Sequence, residues 1–118
     1  MYQRPHEKLI VWQEAHQLCL LIYRLTKSFP SDERFGLISQ MRRSSASVPT
    51  NIAEGNTRRT WKDKRNFFDI AIASLEELHY ESLLSKELAY LSQQQFQTID
   101  QHIHRVSYLL TRLHSSLR

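Results

Sequence analysis

Glycine and cysteine are nearly absent from this chain, with Gly36, Gly55 and Cys19 the only examples in 118 residues. A single thiol excludes an intramolecular disulfide framework, and isolated glycines exclude a Gly-rich loop that cradles phosphate. Long apolar runs are missing too. The longest, Leu18 to Tyr23, is far short of the roughly 18 residues of a membrane span. Met1 to Glu7 holds no apolar signal-peptide core, so the expectation is a soluble, cytoplasmic protein with no membrane partner. Only Pro49 breaks the stretch between the two glycines, and good helix formers fill most positions. Scarce breakers and short length together predict one all-α domain.

Apolar residues at alternating three- and four-residue spacing mark four amphipathic helices, over about 7–28, 33–54, 60–89 and 92–117. The fourth is clearest, with Phe96, Ile99, Ile103, Val106, Leu110, Leu113 and Leu117 in one seam behind a Ser92–Gln95 capping box. In the second, Ile38, Met41, Ser45, Val48 and Ile52 form a seam whose small Ser45 invites a close neighbour. Pro49 predicts a kink or widened turn there, and Gly55 a C-terminal stop. Thr60 caps the third helix, with Phe67, Phe68, Ala71, Ser74, Leu75, Leu78 and Leu88 as core candidates. The first helix carries two apolar stripes. Trp12, Ala15, Cys19 and Ile22 make one; Val11, Leu18, Leu21 and Leu25 make the other, which is either part of a wide core face or an oligomer interface. Short connections favour an up-down-up-down antiparallel four-helix bundle.

Charge is unevenly placed. The chain carries +4 in all, yet residues 42–65 hold seven cations (Arg42, Arg43, Arg58, Arg59, Lys62, Lys64 and Arg65) against Glu54 and Asp63. Cations beside a helix N-terminus suit phosphate, with Arg as a bidentate clamp and Lys as a point charge. Trp61 sits among them, and packing at the first turn is preferred over stacking on an unpaired base. Arg43, Ser47, Asn51 and Glu54 form a polar stripe beside the core seam, read as a register-fixing hydrogen-bond network or a subunit contact rather than a catalytic set. Catalytic patterns are thin. Glu76 and His79 make half of a di-iron spacing without a second copy, His102 and His104 cannot share a helical face, and Cys19 falls in an apolar stripe. Neither a metal nor another cofactor is expected.

Several ordered blocks carry a resemblance. They are Tyr23-Arg24-Leu25-Thr26-Lys27-Ser28-Phe29-Pro30, Glu33-Arg34-Phe35-Gly36-Leu37, Gln40-Met41-Arg42-Arg43, and Ser47-Val48-Pro49-Thr50-Asn51-Ile52-Ala53-Glu54-Gly55. With Phe67, Ala71, Ser74, Leu75, Glu76 and Glu77, the chain over about 8–117 resembles the four-helix-bundle family of 23S ribosomal RNA intervening-sequence proteins. The resemblance implies an antiparallel bundle assembled as a ring-like homopentamer. Its motif residues here are Arg42, Arg43, Ser47, Pro49, Asn51, Glu54, Gly55 and Arg59. Related bundles are accessory proteins of diversity-generating retroelements, where a basic pentamer binds a reverse transcriptase and nucleic acid. The expectation is therefore a non-enzymatic oligomer that binds nucleic acid, RNA in particular. The alternative is a scaffold that docks a protein such as a reverse transcriptase.

Overall fold

The computed structural model describes residues 2–117, which form four helices: α1 Ile10–Thr26, α2 Leu37–Asn56, α3 Trp61–Glu87 and α4 Gln93–Ser115. Single 3-10 turns at Pro5–Lys8 and Ser31–Glu33 precede α1 and α2, and no strand occurs among the described residues. Helix α2 begins four residues later than its apolar spacing predicts, because residues 31–36 are used in a turn. There the Glu33 carboxylate turns back to accept the Leu37 amide at 3.0 Å, replacing the side-chain cap that Gly36 cannot provide. Thr60 caps α3 by accepting from the Asp63 amide, and Ser92 and Gln95 form the predicted reciprocal box at α4. Helix α2 runs unbroken through Pro49, whose missing N–H leaves the Ser45 carbonyl without its usual intrahelical donor.

One core holds the four helices together. Ala15, Leu18 and Ile22 meet Met41, Val48 and Ile52, and the opposite side is closed by Phe68, Ala71, Leu75, Leu78, Ile99, Val106 and Leu110, all buried. Each helix packs on two neighbours: α1 on α2 and α4, α3 on α2 and α4. The second stripe of α1 divides. Val11 and Leu18 are buried within the single chain and so belong to the core, not to an oligomer interface, whereas Leu21 and Leu25 are only partly covered. Leu88 also departs from its expected place in the core. It lies past the end of α3, and the chain turns away at Ala89, whose φ of 66° is the left-handed conformation that ends a helix.

The α2–α3 contact is the most extensive and the most polar of the four. Small residues line it. Ser44 Oγ donates to Glu81 Oε1 at 2.7 Å, Ser74 Oγ lies 2.8 Å from Ser47 Oγ, and Ser85 Oγ lies 3.4 Å from Met41 Sδ. Asn51 donates to Ser47 within α2, and Arg43 forms an ion pair with Glu77. Of the polar stripe seen in the sequence, Arg43, Ser47 and Asn51 join this hydrogen-bonded seam, whereas Glu54 is exposed and stands 3.9 Å from Arg58 instead. Gly55 corrects an expectation: it is the buried penultimate residue of α2, not a stop beyond it. A Cβ there would stand 2.7 Å from Cε1 of Phe68 and 3.0 Å from Cβ of Phe67, so glycine is required by close approach rather than by backbone conformation.

Two predictions follow from this seam. Gly55→Ala gains about 1 kcal/mol of helix propensity but incurs an overpacking cost of about 1–3 kcal/mol, so net destabilisation is expected. A urea midpoint equal to or above that of the wild type would show that Phe67 and Phe68 yield freely. The second concerns Glu81. Loss of water pushes its carboxyl above the ordinary glutamate range; the Ser44 hydroxyl opposes this, Glu77 adds to it and Arg43 subtracts. The folded chain therefore holds this proton more tightly than the unfolded chain does. Its stabilising effect is complete below the ordinary glutamate pKa and lost as pH rises through the raised folded value. Denaturation of wild type and Glu81→Gln at mildly acidic and at neutral pH should show the wild type losing ground to the variant as pH rises. A difference that stays constant with pH would contradict this.

Candidate nucleic-acid interface

The seven cations of residues 42–65 do not form one surface. Arg42 lies fourteen positions before Asn56, the last residue of α2, about 21 Å along the helix at ~1.5 Å per residue. Arg42 is used inside the fold. Its Nε donates to Thr26 Oγ1 at 3.0 Å, its Nη2 reaches the Tyr23 carbonyl at 3.4 Å, and its guanidinium stands 4.7 Å from the centre of the Tyr23 ring. It therefore fastens the last turn of α1 to α2, where exposed carbonyls favour a cation. Arg43 is held by Glu77 and by Gln40 Oε1 at 3.1 Å. Both arginines make contacts within the bundle in the first half of α2, remote from the basic loop, so within one chain they do not extend the surface formed by the other five.

The other five lie at the α2–α3 corner. Thr57 and Arg58 turn the chain by bonding back to the Glu54 and Gly55 carbonyls, and Thr60 then starts α3. Lys64 Nζ donates to the Asn56 carbonyl at 3.1 Å, stitching the first turn of α3 to the last of α2. Arg58 lies 4.5 Å from the centre of the Phe67 ring and 3.9 Å from Glu54, a loose pair at an exposed site. Arg65 stands over Trp61, 5.6 Å from the ring centroid. Arg59 and Lys62 have neither an ion-pair nor a hydrogen-bond partner among the described residues, and both are exposed. Trp61 is 46% exposed, so it is not packed into the bundle at this turn as its sequence context suggests. A groove of about 240 Å³ opens beside it, lined by Trp61, Lys62, Arg65, Asn66 and Asp69. Asn66 and Asp69 were not among the residues expected from the sequence; the signal for them was helical spacing, Asp69 following Trp61 and Arg65 by fours and Asn66 following Lys62 by four.

Other polar clusters resolve into separate pairs. His79 Nε2 lies 3.3 Å from Asp100, His102 Nε2 3.0 Å from the Glu14 carbonyl, and His114 Nε2 2.7 Å from Asp69, so each of these histidines is matched to a different acidic residue. No group of three His, Cys, Asp or Glu side chains is placed to hold a metal among the described residues. A groove of about 400 Å³ between α3 and α4 contains Glu76, His79, Asp100 and His104, of which only His79 and Asp100 are paired. Burial pushes the Cys19 thiol up, against a weak Ser45 contact at 3.7 Å, which leaves it protonated and a poor nucleophile at neutral pH. No described helix is long and apolar enough to cross a membrane.

Comparison with known proteins bears on both fold and lineage. The chain is similar to a crystal structure of a protein with unknown function from the S23 ribosomal protein family of Bacteroides thetaiotaomicron. Identity is 21%, the match covers 91% of this chain and 100% of that one, and the TM-score is 0.81, a likeness of fold. None of the curated proteins matches. The family model for the 23S rRNA-intervening sequence protein matches residues 7–112. That span takes in all but the last turn of the bundle, including the α2 motif and the basic corner after it, and the chain belongs to the 23S rRNA-intervening sequence protein family.

Proposed function

We propose that this chain is a non-enzymatic, cytoplasmic, oligomeric RNA-binding protein that grips phosphates with the α2–α3 corner. The observation that carries the reading is the pair Arg59 and Lys62, exposed at the entry to α3 without internal partners and flanked by Arg58, Lys64 and Arg65. Cations already committed to carboxylates, as Arg43 is, lose much of their attraction for an outside anion; these two keep theirs. Fixed positive charge near free helix amides meets a phosphate at little reorganisation cost.

The assembly we propose is an antiparallel bundle, up-down-up-down, repeated in a ring of five. Antiparallel order is supported by contacts that step up one helix as they step down its neighbour: Ser44 with Glu81 and then Ser47 with Ser74, Arg42 with Thr26 and then Ser45 with Cys19. Leu21 and Leu25 contribute to a groove between α1 and α4 with Ser92, Gln94, Gln95 and Thr98. This face of α1 is the proposed subunit contact, reduced from the original stripe by the burial of Val11 and Leu18. Repetition of a basic corner around a ring strengthens binding by raising the effective concentration of each corner once one is engaged.

Binding to RNA should weaken steeply as salt rises, with log affinity falling by about 0.7 per phosphate contact per decade of salt on single strands. Arg59→Gln with Lys62→Gln should flatten that slope by roughly one to two contacts and lower affinity at low salt. Affinity indifferent to salt would favour a scaffold docked to a protein such as a reverse transcriptase. Light scattering tests the assembly. The wild type should exceed the 14.1 kDa of one chain severalfold, and Leu21→Asp with Leu25→Asp should return it to that mass with helical circular dichroism intact. A wild-type mass of 14.1 kDa at micromolar concentration would end the oligomer proposal, and melting of the variant would assign both leucines to the core.

A further inference from the structure

We infer that the groove beside Trp61 receives one unpaired guanine of a single-stranded RNA segment, a deepening of the RNA-binding reading on which it rests. The argument begins from an anomaly in the fold. A tryptophan is the largest apolar side chain available, and here it stands 46% exposed on the first turn of α3, between cations, with a groove of about 240 Å³ at its side. Indole surface left in water is unfavourable for a lone chain, whereas stacking on a base removes it from water and is tolerant of geometry.

The groove is polar along its length in a way that matches a nucleotide. Lys62 and Arg65 supply positive charge at the Trp61 end, where a phosphate would lie, and the Arg65 guanidinium already stands over the indole. The far end is formed by Asn66 and by Asp69, whose exposed carboxylate lies 2.7 Å from His114 Nε2 without the geometry of a hydrogen bond. A carboxylate repels phosphate and the carbonyl oxygens of a base, and accepts hydrogen bonds from ring and amino N–H groups. Guanine presents two such donors side by side on its Watson–Crick edge, while uracil places a single N–H between two carbonyls. Unpaired bases expose that edge; bases within a duplex do not. Trp61 therefore supplies a stacking face, Lys62 and Arg65 the phosphate contact, and Asp69 the discrimination.

Two short RNAs test this: an all-uridine strand and the same strand with one central guanosine. Binding is followed by tryptophan fluorescence in a Trp12→Phe background, so that Trp61 alone reports. The guanosine strand should bind several-fold more tightly and quench Trp61. Trp61→Ala should weaken binding to it by roughly tenfold or more, read by anisotropy of a labelled strand, with Trp61→Phe restoring part of the loss. Asp69→Asn should erase the preference for guanosine, bringing the ratio of the two affinities to about one, because it removes the acceptor for the guanine N–H groups together with the repulsion felt by the uracil carbonyls. Equal affinity for the two strands, or a Trp61→Ala variant that binds as the wild type does, overturns the pocket. The phosphate reading survives that result if neutralising Arg59 and Lys62 still weakens binding. No binding of either strand at low salt overturns both.

Discussion

Two helices approach closely where a bulky side chain on one meets a small residue on the other, and the contact between α2 and α3 is built on such pairings. Met41, Ser44, Ser47 and Gly55 on one helix face Ser85, Glu81, Ser74 and Phe68 on the other. Serine is an unusual choice for an interior, since a hydroxyl taken from water without a partner is costly. Here nearly every hydroxyl has one, either across the seam or on a carbonyl of its own helix, as for Ser85 with Glu81 and Ser45 with Arg42. Ser82 Oγ is the buried hydroxyl left without a partner among the described residues. The seam trades apolar area for close approach and for register, because hydrogen bonds between specific pairs penalise a sliding helix in a way that leucine packing does not.

That register decides where the functional corner lies. Gly55 seats the end of α2 directly on Phe67 and Phe68, so only the four residues 57–60 separate one helix from the next, and cations from the loop and from the start of α3 emerge together. The same register carries Arg43 to Glu77 and Arg42 to the end of α1, at the other end of α2. One basic stretch of sequence is thereby split into structural and available charge. Lys64 shows the division within a single side chain: its ammonium fixes the corner by holding the Asn56 carbonyl, and it also adds to the positive field there.

Much of this was legible beforehand. Four helices and most of the core followed from spacing, and the Ser92–Gln95 box was visible as a pair of residues, because helical period and capping are local properties. What was missed depends on neighbours distant in sequence. Nothing near Gly55 announces that Phe68 will lie against it, so the residue read as a stop. Arg42 and Arg43 looked like free charge because Thr26 is 16 residues away and Glu77 is 34. Val11 and Leu18 looked available for a partner because the number of core-facing positions on α1 depends on how α2 and α4 flank it. Glu81 was invisible as a buried acid for the same reason: it is covered by packing against α2, where its hydroxyl partner Ser44 lies 37 residues earlier.

In the proposed function, the size of a single corner ties assembly to binding. Arg59 and Lys62 are free, and Arg58, Lys64 and Arg65 contribute charge while serving other contacts, so one copy neutralises only a few phosphates. Contacts of that kind hold RNA weakly at physiological salt, with dissociation constants on the order of 10⁻⁴ to 10⁻⁶ M for non-specific nucleic-acid binding. Two routes improve on that limit. One is a contact to a base, which adds affinity without adding charge and so survives salt; the exposed indole of Trp61 is suited to it. The other is repetition, since linked corners gain on the order of 10²–10⁴ in avidity with no new contact in any one of them. Copying the corner by the proposed assembly extends the charged face while leaving the serine seam of each bundle unchanged.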